Sequence, residues 1–134
     1  MKRIVTIIFR AIFGLFYLAI GLYWIYLLSR GQGGFPGFND AEKALTSAMN
    51  NAGFFQPAVI VSCVAGGGLT LFNRTAPAGI LVLTPLVVMI FLYHVYLTQA
   101  YAHSVTQLLW LLALYWLYRR AFFPLVNNGR QSAA

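Results

Sequence analysis

Charged side chains are scarce in this sequence: only 8% of its 134 residues are Asp, Glu, Lys or Arg. A soluble domain carries about a quarter charged residues, so this composition excludes an ordinary water-soluble fold of this size. Acidic residues are fewer than basic ones, because Asp40 and Glu42 are the only two. Without paired carboxylates in its apolar segments, the chain does not resemble a carboxylate-driven proton pump or a di-metal carboxylate protein.

Cysteine is also nearly absent, since Cys63 is the only one. A single cysteine excludes an internal disulfide, a Cys-x-x-Cys redox pair and a zinc site built on several cysteines. The two histidines, His94 and His103, could ligate haem or a metal, but no carboxylate lies near them in sequence. We therefore predict no metal site.

Apolar residues make up 60% of the chain, and its mean hydropathy is +0.75. Residues 11–28 form the first apolar run, 18 residues without a charge. This run is too long for a secretory signal and ends without a small-x-small cleavage site. Together with three later runs, it predicts an all-α membrane protein, an antiparallel bundle of four transmembrane helices in a single domain. The predicted helices cover 11–29, 54–72, 77–98 and 104–122.

The connections between these helices are short except for residues 30–53. That segment opens with a Gly- and Pro-rich loop, and Asn39-Asp40 then offers a helix N-cap. Small and apolar residues at spacings of three and four predict a short extracytoplasmic amphipathic helix, which either covers the bundle or simply connects two helices. Residues 98–103 are predicted to form a turn containing a solvated His103, and residues 125–134 a disordered tail.

The basic residues predict the topology. Seven of the nine lie at the termini and in the turn between helices two and three, namely Lys2, Arg3, Arg10, Arg74, Arg119, Arg120 and Arg130. Arg30 and Lys43 lie on the other side. By the positive-inside rule, both termini are cytoplasmic in a multi-pass protein of the bacterial inner membrane. These cations suit topology and anionic lipid, so the lipid bilayer is the expected partner and nucleic acid is not.

Small residues predict where helices pack closely. Gly14 and Gly21 lie on one face of helix one, and Ala58, Ser62 and Gly66 form a small-xxx-small row in helix two. Pro85 predicts a kink in helix three that leaves the Leu81 carbonyl without its partner, and Thr84 is placed to help satisfy it.

His94 is the candidate functional residue, because an ionisable side chain inside a membrane span is costly. We predict that Tyr93, Gln56 and Tyr23 lie near it in the outer half of the bundle. A neutral histidine can donate one hydrogen bond and accept another, which suits a quinone carbonyl or a proton relay. The alternative interpretation is a histidine that merely packs against a neighbouring helix.

Four stretches resemble the DoxX-like family of small four-helix bacterial membrane proteins. They are Arg10 to Gly21, the Gly66-Gly67-Gly68 segment through Gly79, Leu83 to His94, and Tyr118 to Phe122. The resemblance implies a four-helix membrane fold and a redox-linked setting. The expected function is an accessory subunit of a redox or quinone-linked membrane assembly, rather than an enzyme on its own. Quinone is the expected ligand, and a redox membrane or peripheral protein or a second copy of the chain is a candidate partner. The alternative is a structural or lipid-interacting membrane protein.

Overall fold

The computed structural model describes the backbone of residues 2–99 and 101–131 and the side chains of residues 4–99 and 101–123. Within these residues the only regular secondary structure is helical and there is no β-strand, which confirms the predicted all-α class. It has five α-helices and one π-helical turn: α1 Lys2–Ser29, α2 Asp40–Asn51, α3 Phe55–Leu71, α4 Ala76–Tyr93, the π-helical turn His94–Thr98 and α5 Tyr101–Gln131.

Several helix boundaries differ from those expected. α1 begins at Lys2 instead of residue 11, because Lys and Arg are good helix formers and end an apolar run without ending a helix. α5 begins at Tyr101, so His103 lies in a helix and not in a turn, although its side chain is exposed as predicted. α5 also continues through residues 125–131 of the expected tail, and residues 132–134 lie outside the described residues.

Two helical stretches are long and apolar enough to cross a membrane, Ile4–Ser29 and Ala76–Thr98. α2 and α3 meet at 87° and could together count as a third span. α3 alone has 17 residues, about 25 Å at a rise of 1.5 Å per residue. These apolar helices are those of a small membrane protein.

The helices pack as neighbours that run in opposite directions. Gly14 of α1 lies against Leu71 of α3, whereas Gly21 lies against Cys63, nearer the start of α3. α5 packs against both α4 and α1, and hydrogen bonds that are described below join it to each of them. The core between the four long helices consists of Phe13, Tyr17, Cys63, Ile80, Leu83, Val87, Leu111 and Leu114. We call the end that carries the 30–54 segment the loop end, and the end at residues 72–75 the turn end.

The small residues that allow close helix packing overlap only partly with those expected. Gly14 and Gly21 do face α3, and Gly66 faces Leu83 of α4. Ala58 is exposed and Ser62 is half-buried, so the predicted row does not continue along one contact face. Two glycines outside the predicted set, Gly67 and Gly79, complete the close contacts of α3 with α1 and α4.

Pro85 lies inside α4 without ending it. Thr84 does not bond to the Leu81 carbonyl. Its hydroxyl donates to the Ile80 carbonyl at 2.7 Å and lies 2.7 Å from the Tyr115 hydroxyl. The threonine therefore joins α4 to α5 in addition to bonding within its own helix.

Candidate functional site

An open cavity of about 490 Å³ lies at the loop end, and every helix of the fold contributes residues to its lining. Its size is within the range of small-molecule sites. Most of its lining is apolar or aromatic, including Phe16, Ile20, Trp24, Phe35, Phe38, Met49, Phe55, Val59, Leu86, Met89 and Ile90. The polar lining residues are Tyr17, Thr46, Tyr93, His94, Thr98, His103 and Gln107, with Cys63 beside them. We call this space the histidine cavity.

One wall of the histidine cavity belongs to α2, which contributes Thr46 and Met49. A capping arrangement fixes the start of this helix. The side-chain oxygen of Asn39, Oδ1, accepts from the Glu42 backbone N–H at 2.8 Å. In return, the Glu42 carboxylate accepts from the Phe38 N–H at 2.9 Å. The Asn39 amide also donates to the Leu97 carbonyl at 2.9 Å, which ties α2 to the π-helical turn.

A buried hydrogen-bonded chain connects α1 to α5 at the side of the cavity. The Tyr17 hydroxyl donates to Gln107 Oε1 at 2.7 Å, and both side chains are buried. The Gln107 amide nitrogen lies 2.8 Å from His103 Nε2. Because an amide nitrogen can only donate, His103 Nε2 is the acceptor, and the neutral ring carries its proton on Nδ1. His103 therefore has an N–H donor that Gln107 does not use.

His94 has the same Nδ1–H tautomer, but here the protonated nitrogen is the one that is already hydrogen-bonded. Its Nδ1 lies 2.8 Å from the Ile90 carbonyl, one turn earlier in the same helical segment. A carbonyl can only accept, so Nδ1 carries the proton and Nε2 of the neutral ring is an acceptor. No hydrogen bond from another described residue reaches this Nε2. Tyr93, the residue before it, lies edge-on to the His94 ring with centroids 5.4 Å apart.

The two histidine rings lie side by side and present one hydrogen-bond donor and one acceptor. Their centroids are 5.2 Å apart, and both rings line the cavity. His103 offers a donor and His94 an acceptor, as the hydrogen-bond network assigns them. An apolar cavity with these two polar groups can hold an amphiphilic molecule whose head group both accepts and donates a hydrogen bond.

Comparisons with protein-family models, with curated proteins and with solved structures find no significant match to this chain. Function is therefore inferred from the geometry of the site. That geometry separates the four predicted site residues into two pairs. His94 and Tyr93 line the cavity, whereas Tyr23 and Gln56 do not. Tyr23 is 58% exposed on the outside of α1. Gln56 lies beside Gly33 of the 30–39 loop, and its buried Nε2 has no hydrogen-bond partner among the described residues.

Sequence reasoning missed Tyr17, His103 and Gln107 as cavity residues. His103 and Gln107 stand four residues apart, a spacing that places both on one face of a helix. That signal was present in the sequence but was obscured by the prediction of a turn through residue 103. Tyr17 had no comparable signal, because its role depends on which face of α1 meets α5.

The described residues contain no group of three or more His, Cys, Asp or Glu side chains placed to hold a metal ion. Cys63 is a free, buried thiol in the cavity wall. The chemistry that this wall offers to a ligand is therefore hydrogen bonding from the two histidines and apolar contact from the aromatic residues.

Proposed function

We propose that this chain is a membrane protein of four antiparallel spans, α1, α3, α4 and α5, that binds an amphiphilic ligand in the histidine cavity. The observation that carries the proposal is the His94 acceptor beside the His103 donor in a mostly apolar cavity of about 490 Å³. Apolar cavities with a few convergent polar groups are typical ligand sites. A packed structural histidine would need no such space beside it.

An isoprenoid quinone or its quinol is the ligand class that we propose. Its head group is a flat ring with oxygens at its edge, and its tail is apolar. In the quinol form, one hydroxyl would accept from His103 Nδ1–H and donate to His94 Nε2, whereas a quinone carbonyl would only accept from His103. Trp24, Phe35 and Phe55 would contact the ring or tail. A bound quinone supplies electron transfer coupled to proton exchange at its oxygens.

The broader proposal is an accessory subunit of a redox or quinone-linked assembly in the bacterial inner membrane. The resemblance to the DoxX-like family supports this setting. Oxidation or reduction of a bound quinone requires a partner that delivers or removes electrons, because these electrons must come from or go to another redox group. The chain would thus bind and position the quinone while a redox membrane or peripheral partner exchanges electrons with it.

The test uses the full chain extracted gently from its own membrane and analysed by native mass spectrometry, with quinone extraction of the same sample. We expect bound quinone in the wild-type protein and at least about ten-fold less in His94→Ala and His103→Ala, because each substitution removes one head-group hydrogen bond. Tyr23→Phe is the matched control, since its hydroxyl lies outside the cavity. It should retain quinone at the wild-type level.

A cavity-filling variant, Val59→Phe, tests the space independently of the histidines. It should also lose quinone, and circular dichroism would confirm that each variant is folded. If the wild-type protein carries only phospholipid, or if quinone survives all three substitutions, the quinone proposal is wrong. Phospholipid alone would leave the structural or lipid-interacting alternative.

A further inference from the structure

A buried arginine lies at the turn end, far from the histidine cavity. Arg10 is only 5% exposed. Its Nη1 donates to Asn73 Oδ1 at 3.0 Å and to the Tyr118 hydroxyl at 3.1 Å, and its Nη2 donates to the Leu71 carbonyl at 3.1 Å. All three acceptors are neutral. The buried Nε has no partner among the described residues.

A buried guanidinium keeps its charge, so burial without a counter-anion is costly. The chain's only two acidic side chains cannot supply one. Asp40 and Glu42 both belong to α2 at the loop end, where Glu42 is bonded to Phe38 and Asn39. The hydrogen bonds to Asn73, Tyr118 and Leu71 orient the guanidinium but do not neutralise it.

A second cavity opens beside this charge. It has a volume of about 290 Å³ and is lined by Thr6, Ile7, Arg10, Asn73, Leu117 and Tyr118. We call it the arginine pocket. Two exposed cations, Arg74 and Arg119, adjoin the lining residues Asn73 and Tyr118 in sequence. The pocket therefore combines a buried cation with the apolar side chains of Ile7 from α1 and Leu117 from α5.

We infer that the arginine pocket binds a phosphate group through the Arg10 guanidinium. Arginine is well suited to phosphate, because its planar N–H groups match the oxygens and the interaction is charge-assisted. The apolar side chains of Ile7 and Leu117 would contact the apolar part of an anionic phospholipid next to its phosphate, and free phosphate has the same recognition chemistry at Arg10. The site lies at the opposite end from the histidine cavity, so this inference does not depend on quinone binding.

The test compares the wild-type chain, purified in neutral detergent, with three variants that each lower the net charge by one. Arg10→Gln removes the buried cation. Asn73→Asp is nearly isosteric and places a carboxylate where the Asn73 oxygen now accepts from Arg10, so the charge is satisfied internally. Arg74→Gln removes an exposed cation next to the pocket and is the matched control. Thermal unfolding and native mass spectrometry are measured with phosphatidylglycerol, diacylglycerol or inorganic phosphate added.

Phosphatidylglycerol should bind and stabilise the wild-type protein, and diacylglycerol with the same chains should not. Arg10→Gln and Asn73→Asp should weaken phosphatidylglycerol binding by about ten-fold or more, whereas Arg74→Gln should stay within about three-fold of wild type. Asn73→Asp should fold at least as well as the wild-type protein without lipid, which guards against a variant that merely unfolds.

Inorganic phosphate distinguishes the two sources. Stabilisation by millimolar phosphate, lost in Asn73→Asp, would identify a free anion as a sufficient ligand. A response to phosphatidylglycerol alone would identify the lipid head group. The inference is overturned if neither probe stabilises the wild-type protein, or if Asn73→Asp responds to phosphatidylglycerol as the wild-type protein does. Equal losses in all three variants would also overturn it, because they would indicate diffuse attraction to a basic surface.

Discussion

The three consecutive glycines of α3 have three different environments. A Cβ added at Gly66 would collide with the Leu83 side chain of α4. One added at Gly67 would lie 2.6 Å from the Leu18 backbone nitrogen and 2.8 Å from the Gly14 carbonyl oxygen, both in α1. One added at Gly68 would meet nothing within 4 Å. Gly67 is thus the point where the backbones of α1 and α3 make close contact.

Gly67→Ala should lower the free energy of unfolding by about 1–3 kcal/mol, because neither backbone can move aside for the added methyl group without repacking. Gly68→Ala is the matched control one residue away. It should leave stability unchanged or raise it by up to about 1 kcal/mol, through the better helix propensity of alanine. Reversible unfolding in mixed micelles measures both. Equal effects of the two substitutions would contradict the close contact at Gly67.

Single residues also show how far the sequence predicted the candidate site. The cost of an ionisable side chain in an apolar segment identified His94, and the structure places it in the cavity wall. Tyr23 and Gln56 were predicted to lie near His94 because all three stand at a similar level along their helices. Level along a helix axis does not determine direction around it, which is why these two side chains lie outside the cavity.

At the scale of an element, α2 shows how one carboxylate holds a helix in place. Glu42 is 2% exposed. It accepts from the Phe38 N–H and the Asn39 amide. Asn39 in turn bonds to Leu97. These bonds hold α2 against the π-helical turn, where the helix forms one wall of the histidine cavity.

Glu42→Gln should loosen α2, because its amide nitrogen would face a donor where a carboxylate oxygen now accepts. The loss of at least one buried hydrogen bond should cost about 1–3 kcal/mol. Hydrogen exchange of the α2 amides should become about ten-fold faster or more, since 1.4 kcal/mol corresponds to a factor of ten, while exchange in α1 and α4 stays unchanged. Asp40→Asn, on an exposed neighbour, is the control. Unchanged exchange in Glu42→Gln would show that apolar contacts alone hold α2.

At the scale of the whole molecule, the charged residues are concentrated at the two ends of the helices. Arg10, Arg74 and Arg119 belong to the turn end, and Arg30, Lys43 and both acidic residues belong to the loop end. Which end faces the cytoplasm remains a prediction of the positive-inside rule.

Cysteine accessibility tests this topology. In a Cys63→Ala background, Ser47→Cys in α2 should react with a membrane-impermeant maleimide in intact spheroplasts. Ser132→Cys near the C-terminus should react only after the membrane is permeabilised, because the seven predicted cytoplasmic cations keep that end inside. Labelling of Ser132→Cys alone in intact spheroplasts would show the inverted orientation, and labelling of both would exclude an even number of spans.

The sequence by itself determined the membrane class, the helical fold and the approximate positions of the helices, because these depend on local composition and on the spacing of apolar residues along the chain. It also identified His94, since the cost of a polar group in an apolar segment is a local property. Only the tertiary structure decided the partners: Tyr17 with Gln107 and His103, Gly67 with α1, and Arg10 with Asn73 and Tyr118. Helices that are apolar on nearly every side carry little periodicity, so the faces that meet are selected by close packing and by the few polar groups that must be satisfied.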